Sequence, residues 1–227
     1  MKVIENGTRI FLLREEVFRT DWHFGRNPIA ENWEKISEEW LANKDYYQKK
    51  IHGSAYHIAE HGPNYQRGEW GNLGLVFNSK ILYYGAEDLF PTLYECLEQI
   101  PLLSNCCFSV IGPKSYLVPH FGDSLPIQRC HTVIEAPDNA TSKLFIQTDV
   151  EEIHEIEYNL GTSFFFDNTL LHWAGNPSPD QQRVNIMFDV WVDQNSKIDY
   201  GNDYYEKQRR NDSQTTRRKG LVKKNGK

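Results

Sequence analysis

A mainly β fold with helices toward its N-terminal end follows from three features of this sequence. From Cys107 onward, eight short runs rich in β-branched and aromatic residues are separated by turn residues. Before them, two stretches repeat apolar residues at helical spacing. No internal repeat and no bilayer-length apolar segment competes with that reading. Eight strands at this density predict a double-sheet jelly roll of the cupin type, a double-stranded β-helix, with flanking N-terminal helices.

The elements follow in chain order. Residues 9–13 form a candidate strand of unclear periodicity. Asn27-Pro28 opens a helical stretch, because proline is tolerated in a first turn. Trp33, Ile36, Trp40 and Leu41 recur on one side of it and predict a buried face, with Glu34, Lys35, Glu38 and Glu39 in water. Residues 52–70 are rich in His, Gly and Tyr and read as irregular. His57 and His61 stand four apart there, with His52 nearby. Gly53 and Gly62-Pro63 interrupt them, so a loop facing surface or substrate fits better than a metal site. Residues 72–84 read as two short strands around Asn78-Ser79. A second helix is expected over 89–103, with Phe90, Leu93, Leu97 and Ile100 on its buried stripe, Pro91 in its first turn and Pro101 near its end. The eight β runs are 107–111, 116–118, 129–135, 144–148, 154–158, 163–166, 170–173 and 184–192.

Three regions result: an N-terminal helical and irregular extension over 1–70, a β-helix domain over 71–195, and a basic tail over 196–227. Between 206 and 227, nine Lys/Arg against two acids give +7, so the total of −6 leaves −13 on the remaining residues. An acidic body argues against nucleic acid as the main partner. The tail has the composition of a solvated, disordered segment. Cys96, Cys106, Cys107 and Cys130 show no metal or disulfide spacing and read as reduced, buried small hydrophobes. The first residues lack the apolar stretch of a signal peptide, so a cytoplasmic location is expected.

Two histidines stand out in the β-rich half. His120 lies in Val118-Pro119-His120-Phe121-Gly122-Asp123, at the mouth between two strands, and His172 lies on a late strand. Neutral imidazoles suit Fe(II). Spacing alone does not distinguish such a pair from core histidines. Arg183 and Arg129 add to the case, because each enters an otherwise apolar strand, where a guanidinium is costly unless it meets a carboxylate. Its planar fork suits one end of a dicarboxylate. His131 follows Arg129 at strand spacing and shares its face. The alternative is that each arginine pairs with a structural acid such as Asp189 or Glu135.

The stretch from Phe90-Pro91-Thr92-Leu93 through Phe108-Ser109-Val110, Pro119-His120-Phe121-Gly122, Arg129-Cys130-His131 and Phe166-Asp167-Asn168 to His172, Asn176, Arg183 and Phe188-Asp189-Val190-Trp191 resembles the aspartyl/asparaginyl β-hydroxylase family. The likeness covers about residues 70–193. It implies an Fe(II)/2-oxoglutarate-dependent dioxygenase that uses O2 to hydroxylate an unactivated C–H bond, at a β-carbon, and releases succinate and CO2. By the family pattern His120 and His172 bind iron, Arg183 and Ser109 grip one cosubstrate carboxylate, and Arg129 and His131 grip the other. Asp167 and Asn168 are expected to orient His172 through hydrogen bonds from behind the metal ligand, although a turn role is equally consistent with the sequence.

Gly122 stands where wider relatives carry a carboxylate ligand, and Asp123 is next to it. Animal-type hydroxylases of this family share that glycine, with water in the vacancy. The same vacancy is what radical halogenases require. Ile127 replaces a basic residue that animal-type relatives associate with acidic substrates. An amino-acid, peptide or other small-molecule substrate is therefore expected, with an acyl-chain hydroxylase or a non-catalytic jelly-roll binding protein as alternatives. Tyr56, His57, Tyr65 and Arg67 are candidates for the substrate side. Neither the partner beyond substrate nor the oligomeric state is legible.

Overall fold

The computed structural model describes residues 2–6, 9–13, 18–19, 26–47, 66–122, 127–149, 152–192 and 194. These belong to one unit, Met1–Ser196; a second unit, Lys197–Lys227, lies outside the described residues, as do His52, His57, His61 and Asp123. The elements in order are β1 (Lys2–Asn6), β2 (Arg9–Leu13), β3 (Phe18–Arg19), α1 (Pro28–Glu31), α2 (Trp33–Tyr46), β4 (Gln66–Arg67), β5 (Trp70–Phe77) and β6 (Lys80–Ile81). Then come α3 (Pro91–Gln99), β7 (Leu103–Ile111), β8 (Ser115–His120), β9 (Ile127–Glu135), β10 (Lys143–Asp149), β11 (Glu152–Glu157), β12 (Ser163–Phe166), β13 (Leu171–Asn176) and β14 (Arg183–Trp191). All eight predicted β runs are present as β7 to β14.

The strands form a seven-stranded sheet, ordered β3-β12-β9-β14-β7-β5-β6, and a five-stranded sheet, ordered β11-β10-β13-β8-β4; β1 and β2 pair separately. Pairing is antiparallel throughout. Alternation along β14 explains the layering. Val184, Ile186, Phe188 and Val190 join the core beneath the helices, with Phe108, Val110, Cys130 and Ile134 of neighbouring strands. Arg183 and Met187, of the opposite parity, line a cavity shared with the smaller sheet. A second core joins the sheets through Ile111, Val133, Phe164 and Phe166 on one side and Leu144, Ile146, Ile156 and Ala174 on the other.

The N-terminal helices close the outer face of the larger sheet. Asn27 caps α1 by accepting from the Ala30 N–H at 3.2 Å. The expected single helix is broken at Asn32, whose side chain donates to the Pro28 carbonyl at 2.8 Å. Trp40 packs at a tilt against Phe108 with centroids 4.5 Å apart. Its indole N–H donates to Glu135 at 2.6 Å, and Lys44 pairs with the same carboxylate at 2.6 Å. Leu41, expected on the buried face, is 52% exposed. The buried line runs through Ile36, Trp40 and Tyr47, and Leu41 lies about 100° round the helix from Trp40.

Elsewhere the turn chemistry holds. Asn78 and Ser79 take φ of 48° and 61°, the two-residue hairpin geometry that joins β5 to β6. The second helix is shorter than expected and ends at Gln99, where Ile100 turns extended before Pro101. Phe90, Leu93, Leu97 and Ile100 are all buried as its spacing predicts. All four cysteines are buried and unbridged. No helix among the described residues is long and apolar enough to cross a membrane.

Candidate metal centre

A register irregularity in the smaller sheet builds the site. Along β13 and β8, Ala174 pairs with Leu117 while His172 pairs with His120, so β8 carries one extra residue in that interval. Such a bulge re-aims a side chain. Here it turns both Leu117 and His120 toward the interior, despite their odd spacing. Pro119 falls in the irregular stretch, where a missing ladder N–H is tolerated.

His120 and His172 thus face one another with ring centroids 4.3 Å apart. Nδ1 of His120 lies 2.8 Å from the Val118 carbonyl, and Nδ1 of His172 lies 2.8 Å from the Leu170 carbonyl. A carbonyl can only accept, so each Nδ1 carries a proton, and a neutral ring then has its lone pair on Nε2. That is the tautomer a metal needs. Burial first, and then the neighbouring His120, push His172 down to about 3, which keeps it neutral. Among the described residues no cluster of three or more His, Cys, Asp or Glu could hold a metal.

Gly122 explains the missing third side chain. Its N–H donates to the Asn168 carbonyl at 2.8 Å, and a Cβ there would stand 2.6 Å from that carbonyl oxygen and 2.6 Å from the Asn168 amide nitrogen. The backbone approach that brings Phe121-Gly122 against the 167–170 turn leaves no room for a carboxylate. Asn168 is fully buried, and both atoms of its side-chain amide lack a hydrogen-bond partner among the described residues. Asp167 accepts from the Thr169 N–H at 2.9 Å and from its hydroxyl at 2.7 Å. It therefore shapes the turn. The Leu170 carbonyl, not Asp167, takes the Nδ1 proton of His172, so any influence of Asp167 on that ring is indirect.

The pair opens onto a cavity of about 330 Å³ whose lining includes Ser109, Arg129, His131, Tyr158 and Arg183. The register of the larger sheet sets these side in rows: Asn72, Ser109 and Asn185 lie abreast on β5, β7 and β14, as do Trp70, Ile111 and Arg183. Trp70 donates its indole N–H to the Ser109 hydroxyl at 3.3 Å, so the Ser109 proton is directed elsewhere. Tyr158 lies 2.9 Å from Nδ1 of His131 through its hydroxyl, and the Asn185 amide nitrogen lies 3.3 Å from the same atom. Burial, with the nearby Arg183 and Arg129 cations, holds His131 well below the ordinary imidazole value.

The two arginines part company. Arg129 makes a two-pronged contact with Asp189, Nε to Oδ1 at 2.8 Å and Nη2 to Oδ2 at 2.9 Å, so one edge of its fork is committed to a structural acid. Glu135 is engaged by Trp40, Lys44 and Gln182, and does not meet Arg183. Arg183 is 1% exposed, and its Nε and Nη1 have no hydrogen-bond partner among the described residues. Its guanidinium carbon lies 4.0 Å over the Tyr158 ring. Burial lowers its pKa from the ordinary value, partly offset by Tyr158. A buried, unpaired guanidinium is costly by several kcal/mol, on the order expected for an uncompensated ion, and asks for an anion.

Sequence reading missed Tyr158, Asn72 and Trp70 as lining of this cavity, and Asn185 as the partner of His131 beside it. Asn185 could have been found, because it shares the parity of Arg183 within an apolar strand. Tyr158 lies just past β11, where no local signal marks its direction.

A family model described as Aspartyl/Asparaginyl beta-hydroxylase matches residues 30–193. The chain belongs to that family. It is a hydroxylase of the Fe(II)/2-oxoglutarate type, and the family implies dependence on Fe(II), 2-oxoglutarate and O2 in general. The match also begins well before residue 70, so α2 belongs to the family pattern. Among curated proteins no match was found. The chain is similar in structure to a prolyl hydroxylase solved with a hypoxia inducible factor peptide fragment from Trichoplax adhaerens, at 12% identity, TM-score 0.48, covering 72% of this chain and 80% of that one. It is also similar to a Pseudomonas putida prolyl-4-hydroxylase, at 12% identity, TM-score 0.45, covering 79% and 95%. A cupin-like protein from Thermotoga maritima is a third, at 15% identity, TM-score 0.34, covering 58% and 75%.

The residues present fit the groups that the hydroxylase family implies. Two imidazoles with Nδ1 committed to backbone carbonyls line the cavity, as does a buried guanidinium with no acid beside it among the described residues. The first set suits a divalent metal, and the second suits a carboxylate.

Proposed function

We propose that this hydroxylase acts on a C–H bond, at a β-carbon, of an amino-acid, peptide or related substrate, with His120 and His172 as the iron ligands. In this reading Arg183 and Ser109 take the distal carboxylate of 2-oxoglutarate. His131 donates toward the other carboxylate, and Arg129, braced by Asp189, adds positive charge to the same wall. Iron held by the histidine pair would activate O2 at the expense of 2-oxoglutarate, which leaves as succinate and CO2.

The protein's own part is orientation. Arg183, with two unpartnered nitrogens inside the cavity, fixes the depth and direction of a dicarboxylate. Ser109, already accepting from Trp70, turns its proton to the same anion. Phe166, whose ring lies 5.3 Å from that of His172, and Leu144 and Ala174 keep the metal side apolar and exclude water. The single observation that carries the reading is the buried Arg183 without an acid, opposite a histidine pair in metal-binding tautomers.

Succinate formation by the full chain with Fe(II), 2-oxoglutarate and O2 tests this. Product mass in a mixture of amino acids and peptides should rise by one oxygen atom. No turnover, together with no cosubstrate binding, would leave a non-catalytic jelly roll. The bare Gly122 favours radical halogenation as the second reading. Chloride dependence and a product carrying chlorine in place of hydrogen would establish that instead, while an oxygen added to a lipid acyl chain would move the substrate class.

A further inference from the structure

We infer that Tyr158 is a positioning residue for cosubstrate binding: its hydroxyl, donated to Nδ1 of His131, holds that imidazole as a neutral Nε2–H donor facing a carboxylate in the cavity. The inference rests on the cosubstrate reading proposed above and deepens it.

The geometry leaves one arrangement of protons. Tyr158 is 2% exposed, and its hydroxyl lies 2.9 Å from Nδ1 of His131. The Arg183 guanidinium carbon lies 4.0 Å over the centre of the Tyr158 ring. A guanidinium has no acceptor to return, so the phenol proton cannot go to Arg183. Nδ1 of His131 is the acceptor within reach, and the Asn185 amide nitrogen, 3.3 Å away, faces it as a second donor. A neutral imidazole has one N–H, so with Nδ1 accepting, the proton is on Nε2. Nε2 of His131 is buried and has no hydrogen-bond partner among the described residues. The ring lines the cavity.

The opposite tautomer would turn a lone pair toward an incoming carboxylate, replacing an attraction by a repulsion. Tyr158 also touches both halves of the grip, since its hydroxyl meets His131 and its ring lies 4.0 Å beneath the Arg183 guanidinium. One residue with no direct role in the chemistry therefore sets the His131 donor and packs against the Arg183 cation.

Tyr158→Phe keeps the ring beneath Arg183 and removes only the oxygen. With Zn(II) as a diamagnetic stand-in at the metal site of the full chain, calorimetry reads 2-oxoglutarate affinity and imidazole ¹⁵N shifts read the His131 tautomer. The expected wild-type tautomer is Nε2–H. The variant should populate Nδ1–H and bind 2-oxoglutarate about tenfold more weakly, the size of one lost hydrogen bond. Ser109→Ala should weaken binding and leave the His131 shifts alone. A wild-type His131 protonated on Nδ1 overturns the inference, as does a variant with unchanged affinity, or with weakened affinity and unchanged shifts. If the wild-type Zn(II) protein binds no 2-oxoglutarate, the cosubstrate reading fails and takes the inference with it; if only the variant comparison fails, the cosubstrate reading stands.

Discussion

His120 stands directly opposite His172 in the register between β8 and β13, with ring centroids 4.3 Å apart. One extra residue in β8 brings this about, and the carbonyls of Val118 and Leu170 then set both tautomers. These two backbone carbonyls orient the pair.

Arg183 is held at a cost to the ligand-free protein. Arg183→Met removes a buried unpaired cation and is expected to leave the fold unchanged or more stable by about 1–3 kcal/mol. The same change should weaken 2-oxoglutarate binding more than about a hundredfold, because charge-assisted bonds are lost. Denaturant unfolding and calorimetry on the same samples test the trade. A variant that is less stable yet binds normally would show that Arg183 is structural.

Arg129 and Asp189 behave as a partly buried pair, with side chains 15% and 5% exposed. Asp189→Leu should destabilise by about 3–5 kcal/mol by stranding the arginine. Adding Arg129→Met should recover much of that loss. The coupling is read from a double-mutant cycle, and additive effects would contradict the pairing.

Low pH should unfold the metal-free protein through its buried imidazoles. His131 and His172 have folded-state values depressed below the ordinary 6.5, His172 to about 3. Between the ordinary and depressed values, the unfolded chain binds more protons than the folded one. Stability is therefore lost as pH falls below about 6.5, with up to about 1.4 kcal/mol per pH unit for each histidine. His131→Gln should roughly halve that slope relative to its own neutral-pH stability. A wild-type stability flat from pH 6.5 to 4 would rule out the buried neutral state.

Gly122→Ala should destabilise by about 1–3 kcal/mol, since its methyl would press on the Asn168 carbonyl. Gly122→Asp should fail to raise metal affinity, because the backbone must shift before the carboxylate can turn inward. Metal titration of the aspartate variant decides this, and tighter binding would mean the 167–170 turn yields easily.

The sequence made the fold legible where periodicity is strong, as in β14, whose even residues join the core beneath the helices while Arg183 and Met187, of odd parity, line the cavity. Helix α2 shows the limit: Leu41 fits an apolar spacing, but the face that matters is set by where Trp40 meets Phe108 and Glu135. At the site, Ser109, Arg129, His131, Arg183 and the histidine pair are brought together as the motifs imply. Their roles needed coordinates, because whether Asp189 or Glu135 neutralises an arginine depends on strand register. Tyr158 and the β8 bulge were illegible for the same reason. Each depends on a neighbour distant in the chain.

The proposed metal and cosubstrate site is tested most directly by anaerobic addition of Fe(II) and then 2-oxoglutarate to the full chain, followed by visible spectroscopy. Chelation of the 2-oxo acid by bound Fe(II) gives a metal-to-ligand charge-transfer band, which the wild-type protein should show. His120→Ala and His172→Ala, shown by circular dichroism to be folded, should each lack the band and bind metal more than about a hundredfold more weakly. No band in the wild-type protein, or an undiminished band in both variants, would contradict the assignment of His120 and His172 as the iron ligands.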